Sequence, residues 1–461
     1  METSNILLFV AVATILVVST IIPSSGKIAG RPFISKVWVR TIEGRFVNPG
    51  SCICETSDGG YVVAAQTVYR TGNKSWKSSI LLVKMDENGR KVWDKLYTRS
   101  GDEFPIRIEQ MEDGGFLILA ITISNETGTD IWLIRTDKEG NEIWNKLIGG
   151  NKSDCGYWLH RTREGDLIIA GYTKSYGSEK INGWIVRVDE DGNELWNMTI
   201  SRTKAKIRLY FVTGTDDGGY IATGCIEKNN DSDVFLVKLD NNGNVLWERI
   251  FSSGPYRWYE DSHAVYQTND GGYMVFARTE KSAWIIRTDG SGNKVWDKTI
   301  YNEKEEWANV LVAVYPTDDG GYIAAGLKIV KKWIMNVPVI NKIIMDMSLN
   351  DTIPFPFDVY LMLHMCGWVA KLDENGTIEW EKVFAPLFYW LTLDDIQQTR
   401  DGGYIATGYI YAVLGYLNPF LFFNDDVVII KMDSKGRTNM VQLKTCGIVH
   451  HIRRLLGVKT W

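Results

Sequence analysis

Residues 215–247 read TDDGGYIATGCIEKNNDSDVFLVKLDNNGNVLW, and the two turns in this stretch decide the fold. The first turn, Asp217–Tyr220, contains two glycines and leads into an apolar segment. The second turn has the form Asp-x-x-Gly, in which the aspartate hydrogen-bonds to its own backbone and the glycine supplies a positive φ. Two successive hairpins of this kind predict four antiparallel strands, which we call A to D.

The same unit recurs along the whole chain. Its first turn occurs at Asp58–Tyr61, Asp113–Phe116, Glu164–Leu167, Asp217–Tyr220, Asp270–Tyr273, Asp319–Tyr322 and Asp401–Tyr404. An apolar residue stands five places before each acidic residue: Ile53, Ile108, Leu159, Val212, Val265, Val314 and Ile396. A period of about 50 residues is typical of solenoids, propellers and arrays. Four-stranded units repeated radially are propeller blades, so residues 36–445 are predicted to form an all-β, seven-bladed β-propeller.

Closure of the predicted ring involves the start of this region. Residues 37–40 resemble the tryptophan-bearing strand D that precedes each later repeat. We expect them to lie on the last blade, beside residues 438–444 or in their place. A blade built from both ends of the chain removes free sheet edges.

Composition sets the limits on function. The chain has 461 residues, 45% of them hydrophobic and 23% charged, with 18 Trp and 43 Gly. That balance favours a folded protein with short strands and tight turns over a disordered one. The net charge is −5, and the sequence contains no basic stripe, so we expect no nucleic-acid partner.

The N-terminus divides into residues 1–5, an uncharged apolar segment at residues 6–22 and a linker at 23–35. The segment is predicted to form a hydrophobic helix that is either a signal peptide or a transmembrane anchor. Lys27, Arg31 and Lys36 follow it and favour a cytoplasmic body. Seven N-x-S/T sequons favour the opposite side: Asn73, Asn125, Asn151, Asn197, Asn230, Asn350 and Asn375. We expect a protein that is membrane-anchored and faces outside, or is secreted.

Six cysteines occur without a C-x-x-C pair, which disfavours zinc-ribbon and thioredoxin-like sites. Cys52 and Cys54 stand two residues apart on one face of a predicted strand. Their parallel side chains are poorly placed for a disulfide, so we interpret them as small buried hydrophobes.

The run D-x-x-G-x-x-x-W resembles the tryptophan-docking motif of the quinoprotein dehydrogenase, or PQQ-like, propeller repeat. Six of the seven copies fit it, ending at Trp93, Trp144, Trp196, Trp247, Trp296 and Trp380. The whole unit is also similar to repeats in uncharacterised prokaryotic surface proteins. The resemblance covers about residues 36–445 and implies a propeller in which these tryptophans join adjacent blades.

The resemblance also implies pyrroloquinoline quinone as a cofactor. The family often has a disulfide between adjacent cysteines and generally has eight blades, whereas this sequence has no Cys-Cys pair and seven repeats. The family's calcium ligands have no counterparts that we can assign here, and the five histidines show no metal-binding spacing. We therefore expect no cofactor and no metal.

Ligands of propellers usually meet the ring at its axis, where the A strands converge. Side chains that flank the apolar position of strand A are therefore the candidate ligand-binding residues: Arg107, Glu109, Trp158, His160, His263, Tyr266, Tyr315, Asp394, Asp395 and Gln397. Their mixture of charge and aromatic surface suits a sugar or a peptide. The alternative is a hydrated channel or blade packing without a ligand.

Two insertions, at residues 329–366 and 409–425, interrupt blades 6 and 7 between strands B and C. Both are strongly apolar, which predicts one of two arrangements: a platform that binds a partner or a membrane, or a small core formed by the insertions themselves.

The tail at residues 446–461 contains the basic run IVHHIRRLLGV, which suits binding to anionic lipid or packing on the ring.

The leading functional hypothesis is a non-catalytic binding or scaffolding propeller outside the membrane. A protein partner, a glycan or the membrane itself would contact the insertions of blades 6 and 7. The alternative is an enzyme with its site at the axis, either a quinone-linked oxidoreductase or a carbohydrate-active enzyme. No nucleophile, phosphate-binding or dinucleotide-binding motif favours one chemistry over another.

Overall fold

The computed structural model describes residues 37–46, 51–70, 76–229, 231–253, 260–279, 282–300, 309–330, 364–385, 389–412 and 425–439. Within these ranges every regular element is a β-strand. The predicted N-terminal helix, most of both insertions and the tail lie outside the described residues. No helix in the described ranges is long and apolar enough to cross a bilayer.

The strands form seven four-stranded antiparallel sheets, which confirms the predicted all-β, seven-bladed propeller. The first three blades contain β2 (Ser51–Glu55), β3 (Tyr61–Arg70), β4 (Trp76–Met85), β5 (Lys91–Tyr97), β6 (Asp102–Gln110), β7 (Phe116–Ser124), β8 (Gly128–Thr136), β9 (Glu142–Ile148), β10 (Asp154–Arg161), β11 (Leu167–Thr173), β12 (Asn182–Val188) and β13 (Glu194–Ile200). Blades 4 and 5 contain β14 (Lys206–Gly214), β15 (Tyr220–Lys228), β16 (Asp231–Leu239), β17 (Val245–Phe251), β18 (Asp261–Gln267), β19 (Tyr273–Arg278), β20 (Ala283–Thr288) and β21 (Lys294–Ile300).

Blades 6 and 7 complete the ring. Blade 6 contains β22 (Asn309–Pro316), β23 (Tyr322–Val330), β24 (His364–Leu372) and β25 (Ile378–Phe384). Blade 7 contains β26 (Tyr389–Gln398), β27 (Tyr404–Ala412), β28 (Asp425–Met432) and, from the other end of the chain, β1 (Trp38–Phe46).

Strand β1 closes the ring by pairing with β28, with Trp38 opposite Lys431 and Ile42 opposite Val427. It takes the outermost position of blade 7 among the described residues. The A strands of blades 7 and 1, β26 and β2, contact each other as the A strands of other adjacent blades do. The chain therefore forms a closed wheel.

Apolar side chains between the blades form the core. The residue five places before each acidic turn residue is at most 2% exposed in all seven blades. Strands B and C are buried on both faces, whereas the outer strand D alternates between exposed and half-buried residues. This pattern matches sheets stacked face to face around an axis, with only their outer edges in solvent.

A repeated ion pair holds the A–B turn of every blade to strand C. In blade 4, Lys238 Nζ lies 2.9 Å from the carboxylate of Asp217, and that carboxylate also accepts hydrogen bonds from Thr215 Oγ1 and the Gly219 amide. The strand C cations in the seven blades are Lys84, Arg135, Arg187, Lys238, Arg287, Lys371 and Lys431. In blade 3, where Glu164 replaces the aspartate, Arg187 reaches Asp166 at 2.7 Å. A buried cation without such a partner would be costly.

The tryptophans of strand D lie against the next blade. The Trp247 ring lies next to Gly292 in the following C–D turn, where a Cβ would come within 2.5 Å of it, and it meets Tyr273 edge-on at 5.8 Å. The same contact with a turn glycine is made by Trp38, Trp93, Trp144, Trp196 and Trp380. Trp296 packs on the apolar cluster around β20 and β23.

Candidate functional site

A cavity of about 260 Å³ lies on the axis, and we call it the axial cavity. All seven A strands contribute to its wall, so it belongs to the whole ring and to no single blade. It is lined by Ser51, Cys52, Ile106, Arg107, Tyr157, Trp158, Tyr210, His263, Val312, Ala313, Tyr315, Asp394 and Asp395.

The wall is shaped by β-bulges in the A strands. In β6, the pairing with β7 shifts between Pro105 and Arg107, which leaves Ile106 as the extra residue. Five other A strands shift at the equivalent place, seven residues before the acidic turn residue. A bulge re-aims the side chain of the extra residue. The residues at this position form what we call the axial ring: Ser51, Ile106, Tyr157, Tyr210, His263, Val312 and Asp394.

A polar network lies on one side of the axial ring. Arg107 donates from Nη1 to the Tyr315 hydroxyl at 2.8 Å, and that hydroxyl donates to Asp395 Oδ1 at 2.8 Å. Arg107 Nε also donates to Glu109 at 2.9 Å, and its guanidinium lies 4.0 Å from the centre of the Trp158 ring. Hydrogen bonds through one arginine therefore join blades 2, 6 and 7 across the axis, and the contact with Trp158 adds blade 3.

Two consecutive carboxyl groups differ in how well they are bonded. Asp395 accepts hydrogen bonds from Tyr315, from the Ile53 amide at 3.0 Å and from the Ile396 amide at 3.0 Å. Asp394 Oδ2 is buried and has no hydrogen-bond partner among the described residues. Burial, followed by repulsion from Asp395, raises the pKa of Asp394 to about 7, because both effects disfavour its charged form. Burial likewise raises the pKa of Asp395.

Aromatic side chains form the wall contributed by blades 3 to 5. The Tyr157 and Tyr210 ring centres are 4.9 Å apart, and His263 stacks on Tyr210 at 6.2 Å with an interplanar angle of 13°. His263 Nε2 lies 3.2 Å from Asp261 Oδ1, and Arg278 bonds both oxygens of that carboxylate. Burial opposes ionisation of Asp261, but His263 and Arg278 outweigh it and bring its pKa down to about 2.

Six of the ten residues proposed from the sequence line the axial cavity: Arg107, Trp158, His263, Tyr315, Asp394 and Asp395. Glu109 lies behind the wall, on Arg107.

The other three lie outside the lining. Tyr266 donates to the Val314 carbonyl at 2.7 Å and so joins blades 5 and 6. His160 lies beside Gly214 of the next blade, and burial lowers its pKa. Gln397 is half-buried and pairs through its backbone with Ile405. Whether any of the ten binds a ligand stays a prediction.

Reasoning from the sequence missed most of the axial ring. Strict alternation places the residue seven before the turn on the same face as the buried residue five before it. The bulge breaks this alternation, so Tyr157, Tyr210 and Ile106 reach the axis instead of the core. The signal in the sequence was a polar or aromatic residue in five blades at a position expected to be apolar: Ser51, Tyr157, Tyr210, His263 and Asp394.

The cysteines near the axis are thiols. Cys52 is buried in the cavity wall, and neither it nor Cys54 forms a disulfide. Burial raises the pKa of both, that of Cys54 to about 11. In the described part of the chain, no three His, Cys, Asp or Glu side chains are grouped so that they could hold a metal ion.

Comparisons with known proteins find similarity in structure alone. No protein-family model matches the sequence. No curated protein has significant sequence similarity to it. The resemblance of the repeat to the quinoprotein motif therefore remains a resemblance, and membership of that family is not shown.

Several solved structures are similar. A protein of unknown function from Dyadobacter fermentans is 12% identical, with a TM-score of 0.42 over 62% of this chain and 94% of its own. Sqt1 from Chaetomium thermophilum is 8% identical, with a TM-score of 0.44 over 86% of this chain and 100% of its own. A glucose dehydrogenase is 12% identical, with a TM-score of 0.38 over 62% of this chain and 96% of its own. The blade count rests on the strand pairing of this chain and not on these likenesses.

Proposed function

We propose that this chain is a non-catalytic binding propeller that holds a small polar molecule in the axial cavity. The observation that carries the proposal is Asp394 Oδ2, a buried carboxylate oxygen without a protein partner among the described residues, in the wall of a 260 Å³ cavity. Buried polar groups are nearly always hydrogen-bonded, so an unpaired one beside a cavity favours a ligand or ordered water as its partner.

The bonding of Asp395 and Arg107 favours binding over catalysis. Asp395 accepts three hydrogen bonds from the protein, and Arg107 is held by Glu109 and Tyr315. A general acid or base must exchange a proton with the substrate, and groups engaged in this way are poorly prepared to do so. One free carboxyl group can orient a ligand but does not supply the acid and base pair that glycoside hydrolysis uses.

The residues of the axial cavity do not fit pyrroloquinoline quinone. This cofactor carries three carboxylates, and the wall presents Asp394 and Asp395 where counter-cations would be required. Arg107, the arginine in the lining, is already balanced by Glu109. The carboxylates of the cofactor would be repelled by these two buried carboxyl groups, which opposes binding. The proposal therefore includes no quinone chemistry.

We also propose that the propeller lies outside the membrane and that residues 6–22 anchor or export it, with the insertions of blades 6 and 7 as a second contact surface. The apolar sequences of these segments support the proposal. Deleting residues 6–22 should move the protein from the membrane fraction, or from the medium, to the cytoplasm. An unchanged distribution would contradict it.

The binding proposal is tested by ligand-induced thermal stabilisation. The purified protein is screened against monosaccharides, amino acids, amines and nucleosides. Two variants are screened in parallel, Val312→Trp and Ile106→Trp, in which a tryptophan from a different blade fills the axial cavity. A ligand of the cavity should raise the melting temperature of the wild type but not that of either variant. Circular dichroism identifies which variants are folded.

Two results would contradict axial binding. One is a ligand that stabilises the wild type and both folded variants equally, because it must bind elsewhere. The other is the absence of any stabilising compound in the whole panel.

A further inference from the structure

The aromatic side of the axial cavity offers ring surface. The Tyr210 hydroxyl lies 3.5 Å from the Cys225 thiol, and a hydrogen bond likewise joins Tyr157 to Cys155. Both hydroxyls are therefore directed at the protein, while both residues line the cavity. Burial raises the pKa of both tyrosines, so they remain neutral. Neutral aromatic faces attract cations through their quadrupole.

The acidic side lies opposite. Adjacent A strands follow one another around the ring, so Asp394 of blade 7 is across the axis from Tyr157 and Tyr210 of blades 3 and 4. The Ser51 amide hydrogen-bonds to the Asp394 carboxyl group, while Oδ2 is left without a partner in the described residues. A ligand between these walls would meet a carboxylate on one side and aromatic rings on the other.

The charges of the lining leave an acid in excess. Arg107 is the lining's one arginine or lysine, and it is paired with Glu109 and bonded through Tyr315 to Asp395. His263, which adds a positive charge only when it is protonated, lies 3.2 Å from the Asp261 carboxylate. Neither Asp394 nor Asp395 forms an ion pair with a protein cation in the described part of the chain, and of these two carboxyl groups it is Asp394 that keeps an oxygen without a hydrogen-bond partner there. The position of Arg107 on the Trp158 ring also shows that the axis already accepts a cation on an aromatic face.

We propose that the ligand of the axial cavity is a small organic ammonium ion, held between the Asp394 carboxylate and the Tyr157 and Tyr210 rings. This inference rests on the proposed function and specifies its ligand class. A carboxylate and facing aromatic rings recognise a substituted ammonium group by charge and cation–π attraction. A neutral sugar would leave the Asp394 charge uncompensated.

Binding of a cation should depend on the ionisation of Asp394. Its pKa of about 7 in the free protein means that a proton competes with the ligand below neutral pH. The titratable or charged groups that share the cavity with it are Cys52, Arg107, Tyr157, Tyr210, His263, Tyr315 and Asp395. Affinity should therefore rise as the pH increases from 5 to 8.

The test uses calorimetry on the full chain, with choline and n-propylammonium as the cationic probes. The uncharged comparison compounds are the tert-butyl isostere of choline for choline, n-butanol for n-propylammonium, and glucose as a neutral sugar. We expect at least one cation to bind about tenfold or more tightly than its uncharged counterpart. Asp394→Asn should remove that preference and also raise the melting temperature of the ligand-free protein at pH 8. The control Glu112→Gln changes an exposed carboxylate outside the cavity and should leave binding unchanged.

The outcomes separate this inference from the proposed function. If glucose or an uncharged isostere binds at least as well as the cations, and Val312→Trp or Ile106→Trp abolishes its binding, axial binding stands and the cation class is wrong. If a cation binds to wild type and Asp394→Asn equally, the assigned site is wrong. If no probe binds, the cation class is overturned, and the panel screen then decides the proposed function.

Discussion

At the scale of single residues, the ion pair between strand C and the A–B turn makes the most specific demand on the sequence. In blade 4, the Lys238 side chain is 4% exposed and Asp217 is 57% exposed. Asp217→Ala would leave the lysine buried without its partner, and we expect a loss of about 2 kcal/mol in the free energy of unfolding. This loss is smaller than the loss expected for a fully buried ion pair, because solvent screens the aspartate. Urea denaturation measures it.

The neighbouring Asp216 provides the matched control. Its carboxylate is exposed and lies 3.4 Å from an exposed arginine, Arg163. Asp216→Ala should change stability by less than about 0.5 kcal/mol. Equal losses from the two substitutions would contradict the role given to the buried lysine.

The same pairs predict how stability depends on acid. Burial works against ionisation of Asp58, Asp217 and Asp319, but hydrogen bonds from threonine and lysine outweigh it and lower each pKa to about 2. A carboxylate whose pKa is lower in the folded state stabilises the protein above its unfolded pKa of about 4. Stability should therefore fall as the pH decreases from 4 to 2. Replacing all three by asparagine should flatten that part of the urea-denaturation profile, and an unchanged slope would count against the pairs.

At the scale of elements, contact between a tryptophan and a turn glycine joins successive blades. Gly292 has a φ of 78°, and an added Cβ would lie 2.5 Å from the Trp247 ring. Gly271 has a φ of 81°, and the space where an added Cβ would lie is open. Gly271→Ala should cost about 1 kcal/mol through backbone strain alone. Gly292→Ala should cost about 1 to 3 kcal/mol more, because it also displaces the ring. Equal melting temperatures for the two variants would argue against docking at this turn.

The A strands show where prediction from the sequence stopped. Their buried position could be read from the apolar residue before each turn, because burial between blades selects Ile, Leu or Val there. The bulge that places Tyr210 or Ile106 on the axis could not be predicted from the sequence, because it depends on how neighbouring blades meet. The flanking residues chosen from strict alternation were therefore partly off the cavity, as His160 and Gln397 illustrate.

At the scale of the whole molecule, the wheel depends on β1. Trp38 lies against Gly89 and meets Tyr61 of blade 1 edge-on at 5.6 Å, while β1 pairs with β28. Removing residues 1–46 should expose the edge of β28 and lower the urea midpoint strongly. Removing residues 1–36 keeps β1 and should leave the midpoint near that of the full chain. If both truncations behave alike, ring closure through β1 is not needed.

The blade count and order were accessible from the sequence because each repeat carries its own turns and tryptophan. The axial chemistry was less accessible, because the cavity combines one to three residues from each of seven distant segments. Arg107 and Tyr315, more than two hundred residues apart, meet only when the ring is closed.

The decisive experiment for the axial site is a crystal structure of the protein with a small ammonium ion bound. We expect ligand density in the axial cavity, with the charged nitrogen within about 4 Å of the Asp394 carboxylate and against the Tyr157 and Tyr210 rings. Density for the ligand at the rim or between two blades, with the axial cavity holding only water, would contradict the proposed axial site.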